Sequence, residues 1–166
     1  MTQKAFQDYY PDDVSYCYGC GRLNKDGLQI KSYWDGEEAV CTFTPRPHHM
    51  AIPGYVYGGL IASLIDCHCT GTAAAAAYKE AGREMGTEPA FRFVTGRLNV
   101  EYLKPTPIDK PLEIRAKVKE IKGRKVVLFA TLSSDGVVTA QGEVITLQVP
   151  EHWLTDKKET KSADLS

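Results

Sequence analysis

Apolar residues follow two patterns along the chain, one long continuous run and several stretches of strict alternation. Within residues 60–77 only Asp66 carries a full charge at neutral pH, and His68 and two thiols are the other ionisable groups. A segment that is apolar on nearly every side is typical of a helix buried in a core. The run therefore predicts one long helix from about Gly59 to Glu84, ended by the glycines and the proline that follow it.

After Pro89 the pattern changes to alternation, as in Leu112, Ile114, Ala116 and Val118 with charged residues between them. Alternation of this kind indicates strands with one buried and one solvated face. Asp-Gly at 35–36 and 135–136 and Gly-Arg at 123–124 are signals of tight turns between strands. We predict six strands, at residues 28–34, 39–44, 93–103, 111–121, 125–133 and 137–149.

Two strands, one long helix and four more strands predict an α+β fold in which an antiparallel sheet wraps around a central α-helix. We expect a single domain over residues 17–153, an N-terminal arm over residues 1–16 and a flexible charged tail over residues 154–166. An open sheet of this kind leaves an edge strand that a second copy can extend. A homodimer is therefore expected.

Composition narrows the function classes. The 166 residues are 43% hydrophobic and carry a net charge of −1, so the chain has no general attraction for nucleic acid or for an anionic membrane. No uninterrupted apolar run approaches the roughly 18–20 residues of a membrane span. The first eight residues lack the apolar core of a signal peptide. These features predict a cytoplasmic protein.

The five cysteines do not form the even set of a disulfide framework. Cys17 and Cys20 have the spacing of half a zinc site, but no second pair accompanies them. We therefore favour a reduced structural turn, and we expect neither a metal nor a cofactor. Cys67 and Cys69 are interpreted as small core residues.

The candidate chemistry lies at the start of the predicted helix and two turns further along. Gly58 and Gly59 leave backbone N–H groups open to close approach at the positive end of the helix dipole. Asp66 is an ionisable carboxylate in an apolar segment, where burial is costly unless the group is paired or its pKa rises. An anion-holding helix end and a desolvated carboxylate favour acyl-transfer chemistry, although a plain turn and a structural aspartate fit the same residues.

Three motifs together resemble a known family. Residues 17–28 resemble Cys-x-Gly-Cys-Gly-x-x-Asn-x-x-Gly-Leu, and residues 53–66 resemble Pro-Gly-x-x-His-Gly-Gly followed, after six intervening residues, by Asp. Residues 98–107, with the turns at 123–125 and 135–136, resemble the rest of the same pattern. Over residues 17–149 the chain is similar to the hotdog-fold acyl-CoA thioesterases of the PaaI-like and 4-hydroxybenzoyl-CoA thioesterase superfamily.

The resemblance implies a role for each matching residue. Asp66 corresponds to the acid that acts as general base on water or as nucleophile toward the thioester. The backbone N–H of Gly58 corresponds to the donor to the thioester carbonyl, usually across the dimer interface, and Gly59 keeps the loop open for substrate. Thr70, one turn after the acid, corresponds to a hydroxyl that can orient water or the carboxylate. Thr95, on the facing strand, matches a position that in some members carries a serine near the water.

Tyr57 departs from the family pattern, which has histidine before the two glycines. Tyrosine can orient the loop or donate a hydrogen bond to the substrate, but it does not take up a proton near neutral pH. His49 lies in the loop that covers the pocket in this family and is a candidate substrate contact. Arg124 and Lys125 are candidates for the phosphates of CoA, whereas His68 is interpreted as a structural core histidine.

Three functions remain at this point. The first is hydrolysis of an acyl-CoA, in which coenzyme A is part of the substrate. The second is an acyl-CoA-binding protein of the same fold without turnover. The third, a hydratase of the same fold, is disfavoured because the Asp-x-x-x-x-His pattern of that branch is not found before the sheet. An aromatic or a medium-length aliphatic acyl group fits equally well, and the assembly is expected to be a dimer or a tetramer.

Overall fold

The structure, a computed structural model, describes residues 2–153. It contains one long helix, α1 (Gly58–Glu80), and a single sheet of six strands. The strands are β1 (Tyr33–Asp35), β2 (Glu38–Phe43), β3 (Phe93–Tyr102), β4 (Leu112–Lys122), β5 (Lys125–Ser134) and β6 (Val137–Gln148). Every neighbouring pair is antiparallel, in the order β1-β2-β4-β5-β6-β3. The predicted α+β hotdog architecture is confirmed. The predicted tail lies outside the described residues.

The concave face of the sheet buries α1. Side chains of β5 alternate between buried and half-buried along its whole length, as the two-residue period of a strand requires. Leu128 and Leu132 from β5 join Leu64 and Ile65 from the helix in one core. Each such side chain contributes roughly 1.5–3 kcal/mol by leaving water.

The helix ends four residues earlier than predicted. Gly82 adopts a left-handed conformation with φ of 63°, and the N–H of Arg83 donates back to the carbonyl of Tyr78 at 2.9 Å. A glycine in this conformation closes a helix by satisfying its last carbonyls. The chain therefore turns away at Gly82, and α1 stops at Glu80.

By length and composition alone, α1 could cross a bilayer, contrary to the expectation that no segment has this character. In the fold most of it is buried against the sheet, as in the core helix of a globular domain.

The first predicted strand is wrong over most of its length, because only Tyr33 and Trp34 of residues 28–34 are in β1. Leu28 and Ile30 donate their N–H groups to the carbonyls of the turn at residues 18–19, at 2.8 and 3.0 Å. Between them Gln29 has a positive φ of 53°, which a regular strand does not contain. Residues 28–32 are therefore bonded to the preceding turn and do not form a strand of the sheet.

Residues near the N-terminus also pack onto α1. The Gln7 side chain is fully buried; its amide donates to Ser32 Oγ at 3.0 Å and accepts the Ser32 N–H at 2.8 Å. Gly71 makes room for it, since a Cβ there would lie 2.8 Å from the Gln7 amide nitrogen. This contact brings residues 9–14 alongside the middle of the helix.

His68 is a structural residue, as predicted. Its ring is fully buried, with Nε2 3.1 Å from the Ala39 carbonyl and Nδ1 2.8 Å from Ser32 Oγ. The carbonyl can only accept, so Nε2 carries the proton and Nδ1 accepts from the hydroxyl. Burial lowers the pKa of His68 to about 4, and the ring is neutral in the fold.

This histidine makes stability depend on pH. In the folded state the pKa of His68 lies below the usual value of about 6.5. The neutral ring therefore contributes fully to the free energy of unfolding above about pH 6.5, and this contribution is lost as the pH falls toward about 4. At pH 5 the loss is about 2 kcal/mol relative to pH 7. In urea unfolding, the free energy of unfolding of His68→Gln should depend correspondingly less on pH than that of the wild type. Equal pH dependence in wild type and His68→Gln would contradict this assignment.

Candidate active site

Asp66 lies two turns into α1, on the side that faces β3. Its carboxylate Oδ1 accepts a hydrogen bond from the Thr95 hydroxyl. The residue is half-buried. Burial raises the pKa of Asp66 above its usual range, and the hydrogen bond from Thr95 acts in the opposite direction because it favours the ionised form. The structure thus brings together two residues that the sequence predicted for one site.

A cavity of about 380 Å³ opens beside this carboxylate. Its walls are mostly aromatic and aliphatic, and Asp66, Thr70 and Thr95 are among the few polar groups on them. A largely apolar cavity with a few converging polar groups is typical of a small-molecule site. Its apolar wall comes from the N-terminal arm, the helix and the start of β3, and includes Tyr9, Tyr10, Val14, Ala74, Tyr78, Phe91 and Phe93.

Thr70 lines the cavity, but its hydroxyl is engaged with the helix backbone. Its Oγ1 lies 3.1 Å from the carbonyl oxygens of both Asp66 and Cys67 and donates to them. The single hydroxyl proton is therefore used, and the free lone pair can accept a hydrogen bond from a molecule in the cavity.

The start of α1 has unpaired donors. Among the described residues, no acceptor is found for the N–H of Gly58 or Gly59, and the Tyr57 side chain forms no cap. The Tyr102 hydroxyl of β3 donates to the Gly58 carbonyl at 2.7 Å and fixes this end. Free N–H groups and the helix dipole make this end suited to hold a developing anion.

Tyr57 covers the helix start. Its side chain is 58% exposed, and its ring packs so closely on Gly59 that a Cβ there would lie 2.4 Å from a ring carbon. The ring is outside the lining of the Asp66 cavity. Tyr57 therefore shapes the approach to the helix end and has no contact with Asp66 in the same chain.

The two chemical groups are separated along one chain. Gly58 and Asp66 are eight residues apart on one continuous helix, which places them about 12 Å apart along its axis. A reacting carbonyl group must be within hydrogen-bond distance of its oxyanion donor and close to the attacking group. Within one chain, therefore, these two groups cannot act on the same carbonyl.

His49 lies by the helix start and not in the cavity. Its carbonyl accepts the Tyr57 N–H at 2.9 Å, and its buried ring accepts the Arg46 N–H on Nδ1 at 3.0 Å. Burial lowers the pKa of His49. The residue supports the loop that carries Tyr57.

Arg124 and Lys125 also lie outside the cavity lining, at the turn between β4 and β5. The ammonium of Lys125 is 3.8 Å from the Glu120 carboxylate. Val126, the next residue of β5, pairs with Thr146 of β6, and Thr146 pairs with Thr95 of β3. Two strand spacings of nearly 5 Å put the turn about 10 Å from Thr95.

Arg92 is a cavity residue that sequence reasoning missed. The residue lines the cavity, and its Nε is buried with no hydrogen-bond partner among the described residues. Nη2 is 3.8 Å from the Asp13 carboxylate. A single arginine before a strand has no local sequence signal that indicates this position.

Three thiols also meet at the cavity wall. The Cys17 and Cys67 sulfurs are 3.8 Å apart, and Cys20 completes a group whose sulfurs all lie within 4.8 Å of one another. The pKa of Cys17 is lowered because the thiols of Cys20 and Cys67 donate hydrogen bonds to it. Cys67 and Cys69 are buried, as predicted, but Cys67 also faces the cavity.

Comparison with known proteins gives consistent matches. The sequence profile of the Thioesterase superfamily matches residues 53–141. A thioesterase superfamily protein from Shewanella loihica PV-4 has 42% sequence identity and a TM-score of 0.65, and the match covers 85% of this chain and 100% of that one. The PaaI protein of E. coli, at 16% identity, shares the fold with a TM-score of 0.60 over 74% of this chain and 81% of its own.

Curated relatives are longer than this chain. The acyl-coenzyme A thioesterase THEM4 of Xenopus laevis is 37% identical over 116 residues, which cover 68% of this chain and 46% of that protein. THEM4 of Rattus norvegicus is 30% identical over 123 residues, with 73% and 47% covered. The chain spans about half the length of these relatives.

Neutralising the carboxylate at this site should stabilise the fold. Asp66→Asn removes a half-buried charge, and the new side chain can still accept the hydrogen bond from Thr95. At pH 7 we expect the Tm to rise by roughly 2–4 °C, the shift that about 1 kcal/mol produces in a domain of this size. Asp109→Asn, which neutralises an exposed carboxylate, should leave the Tm nearly unchanged. A lower Tm in Asp66→Asn would mean that the carboxylate has a structural role.

Proposed function

Because the chain belongs to the Thioesterase superfamily, we propose that it hydrolyses an acyl-CoA thioester to coenzyme A and a carboxylic acid. The observation that carries the proposal is the Asp66 carboxylate, held by Thr95 on the wall of a largely apolar cavity. A half-buried carboxylate is costly in a protein that only binds its ligand. In a hydrolase the same group has a chemical task.

Asp66 acts as general base on water or as nucleophile on the thioester carbonyl. The carboxylate must be ionised in either route. The hydrogen bond from the Thr95 hydroxyl to Asp66 Oδ1 favours the ionised form and holds the carboxylate in position. The thioester carbonyl acquires negative charge when it is attacked. The free N–H of Gly58 at the positive end of α1 holds that charge.

The site is completed by a second copy of the chain. Within one chain Gly58 and Asp66 are too far apart to act on one carbonyl, so Asp66 of one copy works with Gly58 of the other. The edge of the sheet supports this arrangement: β3 is the last strand, and it exposes Val94, Leu98 and Tyr102. An exposed apolar edge strand is a surface for pairing with another copy. The assembly is a homodimer or a dimer of dimers.

The cavity holds the acyl group, and cations outside it hold the CoA phosphates. The aromatic wall suits an aromatic or a medium-length aliphatic group. Arg124 and Lys125 lie about 10 Å from Thr95 along the sheet, within reach of an extended CoA chain. Arg92 adds a cation at the cavity itself.

A mixing experiment tests both the residues and the shared site. Asp66→Asn should lower kcat at least about 100-fold, since it removes the reacting carboxylate. Gly58→Pro should lower kcat to a similar extent, because proline has no N–H to donate. Proline is tolerated at the first position of a helix, so the variant should still fold. Gly58→Ala, which keeps the N–H, should remain active.

Mixed dimers of the two inactive variants should recover activity. Each mixed dimer contains one site with both changes and one site with neither, so random exchange should restore about a quarter of the wild-type rate. No recovery after demonstrated subunit exchange would show that the site is not shared between copies. Full activity of Asp66→Asn would overturn the mechanism itself.

Tyr57 decides between the hydrolase and an acyl-CoA-binding protein without turnover. If it only shapes the helix start, Tyr57→His should stay within about tenfold of wild type, and Tyr57→Phe should lose no more than the roughly 1–3 kcal/mol of one hydrogen bond. We expect this result, because Asp66 remains as the acid–base group. Hydrolysis of a panel of acyl-CoAs between pH 6 and 9, measured by thiol release, provides the test. A rise of 100-fold or more in Tyr57→His would favour the binding protein.

A further inference from the structure

The cysteine group is unexplained by thioester hydrolysis. Within residues 2–153, Cys17, Cys20 and Cys67 are the one set of three metal-ligating side chains whose ligand atoms all lie within 4.8 Å of one another. Two of these residues come from a turn near the N-terminus and the third from the middle of α1. The group is therefore produced by the tertiary fold and not by sequence spacing alone.

The distances fit one tetrahedral ion. Zn–S bonds of about 2.3 Å at tetrahedral angles separate the sulfurs by about 3.8 Å. The Cys17 and Cys67 sulfurs are already 3.8 Å apart, and small side-chain rotations suffice to bring in Cys20. Soft thiolate ligands favour zinc over the harder cations. We propose that Cys17, Cys20 and Cys67 bind a Zn²⁺ ion.

The backbone builds this site without help from the thiols. The Gly21 N–H donates to the Cys17 carbonyl at 2.8 Å and closes the turn, and the N–H groups of Leu28 and Ile30 fasten it from the far side. Gly19 allows the turn to touch the helix, since a Cβ at this position would lie 2.2 Å from the Cys67 sulfur. The turn is thus fixed against α1 with its sulfurs facing Cys67.

The fourth coordination position faces the cavity. All three cysteines line it, and Cys17 is exposed, which gives an ion a path from solvent. Asp66 is outside the group of mutually close ligand atoms. A water or a bound molecule therefore completes the coordination, as in zinc sites that keep one open position. The ion ties the N-terminal turn to the helix directly beside the candidate active site.

Metal content of the untagged, full-length chain tests the proposal. The protein is purified with a phosphine reductant, and zinc is measured by mass spectrometry and by competition with a chromophoric chelator. We expect one equivalent per chain. Substitution by Co²⁺ should give thiolate-to-metal charge-transfer absorption in the near ultraviolet and the visible bands of tetrahedral cobalt. Zinc should also raise the Tm.

Two variants make the test specific. Changes in the outer shell of a metal site already cost roughly 10–100-fold in affinity, so loss of a thiolate in Cys17→Ser should weaken zinc binding by at least 100-fold. Cys17 is exposed, so this change should not prevent folding. Cys41→Ala removes a thiol buried in the core on β2, away from the group, and should leave affinity unchanged. His48 and His49 are present in both variants and cannot produce a difference between them.

Three results would overturn the proposal. The first is equal affinity in Cys17→Ser and wild type, and the second is cobalt absorption without the thiolate band. The third is a disulfide between any two of the three cysteines in freshly alkylated protein. None of these measurements depends on hydrolysis. The zinc proposal can therefore be disproved while the thioesterase proposal stands, and the thioesterase proposal can be disproved while the zinc proposal stands.

Discussion

Burial of α1 by the sheet is the constraint on which the rest of the structure depends. A polar group on a helix enclosed in this way must find its partner inside the protein. Thr72 returns its hydroxyl to the helix backbone at 2.7 Å, and His68 is satisfied at both ring nitrogens. Asp66 differs, because within residues 2–153 only one of its oxygens has a hydrogen-bond partner, and the residue borders a cavity. The other carboxylate oxygen can therefore accept a hydrogen bond from a bound molecule.

Much of this fold could be predicted from residue patterns, because helix and strand periodicities are local. The helix start, five of the six strands and the turn glycines follow from the alternation of apolar and polar positions. The segment at residues 28–32 could not be predicted in this way. Its apolar alternation resembles a strand, but its partners are the carbonyls of a turn ten residues earlier, and the pattern does not encode that pairing.

The site was predictable only where family motifs identify its residues. The contact between Asp66 and Thr95 joins positions 29 residues apart. Both positions match a known pattern, which assigns them to one site but does not specify the hydrogen bond between them. Arg92 and the tyrosines of the arm have no motif, so their place on the cavity wall emerges only from the fold. The group of three thiols also emerges only from the fold. Cys17 and Cys20 have a recognisable spacing, but Cys67 lies 47 residues after Cys20 and was interpreted as a core residue. Spacing alone therefore predicted a reduced structural turn, and the zinc site proposed above depends on the third thiol.

Strand β3 contacts both the Asp66 carboxylate and the start of α1. Thr95 near its beginning holds Asp66, and Tyr102 at its end holds the carbonyl of Gly58. The strand therefore runs antiparallel to the first turns of α1 and fixes both the carboxylate and the helix end. Because β3 is also the edge of the sheet, the homodimer proposed above would bring a second copy against both groups at once. In that proposed two-fold dimer, the separation of Asp66 and Gly58 within one chain becomes the spacing between two equivalent sites.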